Sequence, residues 1–346
     1  VNEPRVAVIG YGYAGRSFHS YLVSITPGLI LHGIASSDPA KREQIVRERH
    51  CQAYRSFDEV IADTAVDLVV LATPNDLHAD LAIRAMEAGK HVVTDKPMCV
   101  TLAEADAMVA AAERTGRVLS IFQNRRWDGD FLTVQKLIAE GRLGQVRWAE
   151  LAWQRWGVPR GWRGEATKGG GRLFDLGAHL LDQLLVLFPQ PIAGVYCRTH
   201  YDFPERDVES HALVTVHFAD GATGVCDLSS LSAINKPRFH IFGDKGTFAK
   251  YGLDPQEDAM RAGQIYAAVE DPALYGKLHD GATETTIPTH PGRWRSYYEN
   301  IRDVLTNGAE LAVKPQQVRR VMAVFDAAFR SAQTGQVVAV QERHSA

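Results

Sequence analysis

The stretch that decides the fold is RVAVIGYGYAGRSFHSYLV, Arg5–Val23. Arg5–Ile9 reads as a strand and Ala14–Val23 as a helix. Between them lies Gly10-Tyr11-Gly12-Tyr13-Ala14-Gly15, a GxGxxG turn. Gly10 permits the tight turn, Gly12 lets the backbone approach a pyrophosphate, and Gly15 lets helix and strand pack closely. The start of the helix offers free N–H groups and a positive dipole end to phosphates. Alone the motif is weak, and a glycine turn without a ligand is the bland alternative. Placed after a strand, opening a helix and inside a βαβ unit of the right length, it points to dinucleotide binding.

The same rhythm continues outward from this turn. Leu29–Ala35 reads as a strand, Pro39–Glu48 as a helix opened by Asp38, and Val66–Ala72 as a strand buried on both faces. Leu77–Ala88 is the next helix, His91–Thr94 the next strand, Leu102–Thr115 the next helix, and Val118–Phe122 closes the series. Strand and helix in alternation predict a doubly wound parallel sheet, a Rossmann domain over residues 1–123.

Three strand ends carry the candidate cofactor contacts. An acid about 20 residues past the glycines would bind a ribose 2′-OH and repel a 2′-phosphate. Ser36 and Ser37 stand there instead, with Lys41 and Arg42 nearby, which favours NADP over NAD. The competing register puts Asp38 in the acidic role. After the long buried strand come Thr73, Pro74, Asn75 and His78. Pro74 and Asn75 are expected to line the cofactor; His78 is as readily a helix-surface residue. Thr94-Asp95-Lys96-Pro97 follows at another carboxyl end, where Lys96 would reach the crevice and a cis Pro97 would aim it. A solvated surface lysine is the alternative.

Residues 124–346 change character. Asp130–Glu140 reads as a helix, followed by strands over Gln145–Trp156, Val195–His200, Ser210–Phe218, Ala222–Ser230, Arg238–Phe242 and Thr247–Lys250. Strands in succession predict an α+β domain with an open, largely antiparallel mixed sheet. Pro255–His290 is polar and poorly patterned, and reads as a long surface excursion. Arg295–Thr306 and Pro315–Thr334 read as helices. The informative stretch is GGGRLFDLGAHLLD, Gly169–Asp182. Its three glycines suggest a mobile loop before a helix over Asp175–Leu187. Asp175 and His179 are four apart and share a helical face, with Asp182 on the same side. A carboxylate beside an imidazole suits a general acid–base with an orienting partner. A capping Asp175 with a packed His179, or a metal site, are the alternatives, and no further cluster at metal spacing supports the latter. His211, His217, Cys197 and Cys226 lie in strand patterns and read as sheet or core residues.

Composition bounds the rest. The chain has 346 residues, 45% hydrophobic and 23% charged, which suits about two globular domains and excludes disorder as the main state. A net charge of −3 gives no overall electrostatic reason to coat nucleic acid or an anionic membrane. None of the four cysteines forms a CxxC pair, so a reducing cytoplasm fits best, although one long-range disulfide stays open. No apolar run reaches the ~18–20 residues of a membrane span. Asn2, Glu3, Pro4 and Arg5 lead directly into an apolar strand, unlike a signal peptide.

GYGYAG, TPNDLH, AGKHVVTDKP and GGGRLFDLGAHLLD, in that order, resemble the glucose–fructose oxidoreductase / inositol dehydrogenase / MocA family over nearly the whole chain. FQNRRWDGDF and KYGLDPQED look closer to its NADP-dependent scyllo-inositol dehydrogenase branch. The resemblance implies an NAD(P)-dependent oxidoreductase acting on a small polyol or sugar, with a second domain that mediates homodimers or larger oligomers. Lys96 fills the family's (E/D)KP motif, with Asp95 in place of the usual Glu. Asp175 and His179 fill its DxxxH. The implied roles are His179 as acid–base, Lys96 as stabiliser of the alkoxide, and Asp175 as an anchor for substrate or histidine. Asn124, Arg125, Arg126, Trp153, Trp162 and Tyr297 are expected around the substrate, since polyols favour hydrogen-bond donors beside an aromatic wall. Two other classes stay in view: a non-catalytic dinucleotide-binding sensor, and a glycosidase that oxidises its substrate transiently.

Overall fold

A computed structural model describes residues 3–342. The first sheet contains β1 (Arg5–Ile9), β2 (Ile30–Ala35), β3 (Gln52–Tyr54), β4 (Leu68–Leu71), β5 (His91–Thr94) and β6 (Leu119–Ile121). Their order is β3-β2-β1-β4-β5-β6, and every neighbouring pair is parallel. Helices cover both faces of such a sheet, so β4 is apolar at every position and fully buried. The order reverses between β1 and β4, and ligands of open parallel sheets bind beyond the carboxyl ends at that point.

Two elements here escaped the sequence reading. β3 is only three residues long, too short for a periodic signal, and the helix Phe57–Ala62 behind it is a turn and a half. Ser56 caps that helix, its hydroxyl accepting from the Glu59 N–H at 3.2 Å. The helix expected over Ala14–Val23 is π-helical over Ala14–His19 and α-helical over Ser20–Ser24. Nothing in the sequence explains that change of winding.

The second sheet has eight strands: β7 (Val146–Gln154), β8 (Ile192–His200), β9 (His211–Phe218), β10 (Thr223–Ser229), β11 (Phe239–Gly243), β12 (Thr247–Lys250), β13 (Gly276–His279) and β14 (Glu284–Ile287). Their order is β14-β13-β12-β11-β7-β10-β9-β8. Only β7 and β10 pair in parallel, so the sheet is mixed and largely antiparallel, as expected. The helix Gly177–Leu187 lies on β7 and β10. It comes so close that a Cβ on Gly224 would sit 2.5 Å from Leu184 methyl carbons.

The surface excursion expected over Pro255–His290 is corrected: it holds the helix Gln256–Arg261 and the hairpin β13–β14, which extends the sheet. Two four-residue strands, Gly-Lys-Leu-His and Glu-Thr-Thr-Ile, with one large apolar residue each, carry too little alternation to be read from sequence. The chain forms two compact units. One comprises residues up to Asn124 with Glu257–Tyr266 and Arg293–Arg319; the other comprises Arg125–Gln256, Ala267–Gly292 and the residues from Arg320. The late segment Arg293–Arg319 joins the first unit because Trp294, Tyr297 and Tyr298 bury their rings against Phe18, His19 and Phe122. All four cysteines are free, so the long-range disulfide left open does not form. No helix among the described residues is long and apolar enough to cross a membrane.

Candidate active site

The glycine turn of the first unit has the geometry a pyrophosphate needs. Gly10 has φ +98°, and a Cβ there would lie 2.5 Å from the Ala72 carbonyl oxygen. A Cβ on Gly15 would lie 2.0 Å from the Gly10 carbonyl oxygen, so any larger residue separates helix from strand. Gly12 is the opposite case, with nothing within 4 Å of its Cβ position, which leaves its backbone open to a ligand. Ala14 begins the π-turn. Tyr11 is buried with its hydroxyl donating to Glu48 Oε2 at 2.8 Å, and Tyr13 is 45% exposed with its hydroxyl on Glu257 at 2.9 Å. The residues fit a dinucleotide: two glycines crowded by backbone, one open, and a helix start beside them.

β2 ends at Ala35, the register read from the sequence. Ser36 follows, its N–H donating to the Tyr54 carbonyl at 3.0 Å. Asp38 caps the next helix, accepting from the N–H of Ala40 at 2.9 Å and of Lys41 at 3.4 Å. Arg42 Nη1 donates to the carbonyls of Ser36 and Ser37 at 2.8 and 2.9 Å, which pins the loop between them.

The ends of β4 and β5 are tied together by a histidine. His78 is fully buried, not on the helix surface, and its two ring nitrogens lie 2.9 Å from the Pro97 carbonyl and 3.1 Å from that of Thr73. Burial pulls this imidazole below its ordinary pKa, against the opposing pull of Asp95 and the two carbonyls. His78 thus joins the Thr73–Pro74 loop to the segment behind Lys96. Asn75 is buried and opens a short 3-10 turn. The Lys96–Pro97 peptide is cis.

Lys96 is half-buried, and its N–H donates to Asp95 Oδ1 at 2.8 Å. The other Asp95 oxygen faces His19 Nε2 at 3.7 Å, and His19 Nδ1 meets the Tyr298 hydroxyl at 2.7 Å. Burial alone would push the Asp95 carboxyl up, but His19, Lys96 and His78 outweigh it and hold Asp95 below the ordinary carboxylate range. A part-buried carboxylate, itself faced by His19, therefore holds the Lys96 backbone N–H. His19 and Tyr298, which complete this support, were not picked out from the sequence: they are 279 residues apart.

In the second unit, Asp175 closes the short helix Arg172–Asp175 and His179 lies in the first turn of Gly177–Leu187, so the single helix expected is broken at Leu176. Both side chains are buried. His179 stacks on Trp153, ring centroids 5.8 Å apart and planes at 29°. Asp175 meets Arg163 Nε at 3.3 Å and Arg172 Nη1 at 3.8 Å. Arg125 lies over the Trp153 ring at 4.4 Å and pairs with Asp128 at 3.1 Å. The loop expected to be mobile, Gly169–Gly171, is buried and hydrogen-bonded: Gly170 donates to Glu165 and Gly171 to Arg163. Three carbonyls stand 2.7 Å from where a Gly170 Cβ would be, so crowding accounts for that glycine.

Other expected site residues fall elsewhere. Asp182 does not join Asp175 and His179. It takes Arg126 in a two-point bridge, Nε to Oδ2 at 2.8 Å and Nη2 to Oδ1 at 2.7 Å. Arg126 is thereby committed to a nearly buried ion pair. Arg126→Met, which leaves Asp182 as an uncompensated buried charge, is expected to lower unfolding stability by about 3–5 kcal/mol in a denaturant titration. A loss under about 1 kcal/mol would show that the pair is screened like a surface one. Tyr297 is also corrected as a wall residue: it is 1% exposed in the core of the first unit, its hydroxyl donating to Ser120 at 3.0 Å. Asn124 is buried, and Trp162 is half-buried under Arg163, whose guanidinium sits 4.7 Å from its ring. Among the described residues no three His, Cys, Asp or Glu side chains gather as metal ligands.

Known proteins match this arrangement along the whole chain. Residues 4–123 match the oxidoreductase family with an NAD-binding Rossmann fold, and residues 131–249 match the GFO/IDH/MocA C-terminal domain. The uncharacterized oxidoreductase YdgJ of Escherichia coli K12 is 36% identical, over 95% of this chain and 96% of its own. The NADP-dependent scyllo-inositol 2-dehydrogenase IolW of Bacillus subtilis is 32% identical, over 99% of this chain and 97% of its own. The solved structure of Bacillus subtilis YvaA superposes with a TM-score of 0.92 at 31% identity and 99% coverage of both chains. With its glycine turn, its lysine at the end of β5 and its buried histidine on a mixed sheet, the chain belongs to the GFO/IDH/MocA family and is an NAD(P)-dependent oxidoreductase.

Proposed function

We propose that this protein interconverts a secondary alcohol and a ketone on a cyclic polyol or sugar, with NADP(H) as its redox partner. The observation that carries the reading is the buried His179 imidazole, stacked on Trp153 in the same helix pair as a carboxylate held by two arginines. A bound nicotinamide dinucleotide supplies the hydride acceptor in oxidation and the donor in reduction. The residues supply position and charge. Gly10, Gly12, Gly15 and the helix start hold the pyrophosphate, with Thr73, Pro74 and Asn75 lining the next loop. His179 takes the proton of the substrate hydroxyl during oxidation and returns it during reduction. The Lys96 ammonium stabilises the alkoxide as charge grows on oxygen. Asp175, paired with Arg163 and Arg172, anchors the substrate or orients the histidine.

NADP preference rests on the end of β2. Ser36 and Ser37 present hydroxyls rather than a carboxylate, and Asp38 is engaged with the helix start it caps. A 2′-phosphate then meets no like charge, whose juxtaposition would cost several kcal/mol. We expect kcat/KM with NADP to exceed that with NAD by about tenfold or more, or ~1.4 kcal/mol. Ser36→Asp should reverse the order by weakening NADP; an NAD preference in the wild type would remove this assignment. The reaction itself is tested by following nicotinamide absorbance across inositols, aldoses and sugar lactones with both cofactors. Steady NADP reduction by a free polyol or sugar supports the dehydrogenase reading. Tight NADP binding with no turnover of any of them would point to a sensor instead.

A further inference from the structure

The basic residues of the segment that leads into Arg172 outnumber its acids. Between positions 155 and 172 the basic residues are Arg155, Arg160, Arg163, Lys168 and Arg172, and the one acid is Glu165. Glu165 is taken by Lys168 at 2.7 Å. Arg163 and Arg172 share Asp175. Arg155 has no carboxylate within 4 Å among the described residues, and its exposed guanidinium lies 5.5 Å from the centre of the Trp153 ring, the ring that carries His179. Arg238 is buried, its guanidinium 5.3 Å from the Trp153 ring, and among the described residues its Nε and Nη1 meet no acceptor; neither does the buried indole nitrogen of Trp153. Arg172 is buried as well, and its charge is disfavoured by that burial and by the nearby Arg155 and Arg163. Even with Glu209 counted as an anion beside Arg172, the trio Arg155, Arg163 and Arg172 keeps one positive charge in excess.

A neutral polyol answers hydrogen-bond donors but leaves that charge uncompensated. A planar guanidinium free of any carboxylate, beside an aromatic face, is the usual partner of a carboxylate or phosphate. We infer that the substrate carries an oxyanion in addition to its reacting carbinol, and that Arg155, with Arg163 beside Asp175, receives it. This deepens the proposed function and rests on it: the substrate class becomes a sugar acid or sugar phosphate rather than a neutral inositol.

The test compares kcat/KM of the full-length enzyme for a neutral arm (scyllo-inositol, glucose), a carboxylate arm (gluconate, glucuronate) and a phosphate arm (glucose 6-phosphate, inositol 1-phosphate). One oxyanion arm is expected to exceed the neutral arm by about tenfold or more, and the better arm tells carboxylate from phosphate. Arg155→Gln is expected to lower the ratio of that arm to the neutral one by about tenfold, the size of one charge-assisted hydrogen bond. Equal or better use of neutral substrates, or a ratio unmoved in Arg155→Gln, overturns the inference while the dehydrogenase reading stands. Direct calorimetric binding of glucuronate and glucose 6-phosphate separates the remaining case. Absence of all turnover with Arg155-dependent anion binding keeps the subsite and removes the dehydrogenase reading; absence of both removes both.

Discussion

Replacing His179 by alanine is expected to lower kcat by about 10²- to 10⁴-fold, the range attributable to one positioned acid–base group. The imidazole is buried beside an Asp175 carboxylate paired with two arginines, and imidazole is the side-chain type suited to exchange a proton near neutral pH. The kcat/KM–pH profile should also lose the limb set by the histidine. Cofactor binding should survive, since the dinucleotide contacts lie at the glycine turn and the ends of β2 and β4. Because His179 packs on Trp153, the alanine variant could loosen the fold, and His179→Gln keeps much of the volume as a control. Either variant, folded by near-ultraviolet dichroism, that turns over at nearly the wild-type rate would take the acid–base role away from His179.

Lys96→Met should be the second large effect, a fall in kcat of about 10²-fold or more with little change in the affinity for NADP. Charge that appears on the substrate oxygen only in the transition state is stabilised by a preset ammonium, so its removal acts on kcat rather than on ground-state binding. The backbone that carries the ammonium is held in place: Asp95 accepts the Lys96 backbone N–H, His19 faces the same carboxylate, and Tyr298 meets His19. Methionine keeps the length of the stem and leaves this scaffold in place. A variant that loses NADP affinity and retains kcat would reassign Lys96 to holding the cofactor. Normal values of both would make it a surface lysine.

Local features carried much of this reading because they act over short spans. A glycine turn needs only its own residues and the next loop, which is why Gly10, Gly12 and Gly15 could be read directly. The fully apolar β4 announced a two-sided parallel sheet, and hairpin spacing announced the second, largely antiparallel one. Asp38 sat where a cap belongs, three residues past β2, and caps. The spacing of Asp175 and His179 made them candidates, although the chain divides them between two helices at Leu176.

Partner choice was another matter. Asp182 stands at the right spacing to join Asp175 and His179, yet it is claimed by Arg126, 56 residues away in sequence. Tyr297 looks like a wall residue until the helix Arg295–Asn307 folds it onto Phe122 and Ser120. His78 looks like a surface histidine until two loop carbonyls close on it, and His19 gives no signal before Asp95 and Tyr298 arrive. Periodicity and spacing within one or two elements were enough for the two sheet types, the glycine turn and the candidate lysine, aspartate and histidine, but not for the short strands β3, β13 and β14. Only the tertiary structure decided which charges neutralise one another and which stay unmatched, because a side chain's partner depends on distances between segments that no local pattern encodes.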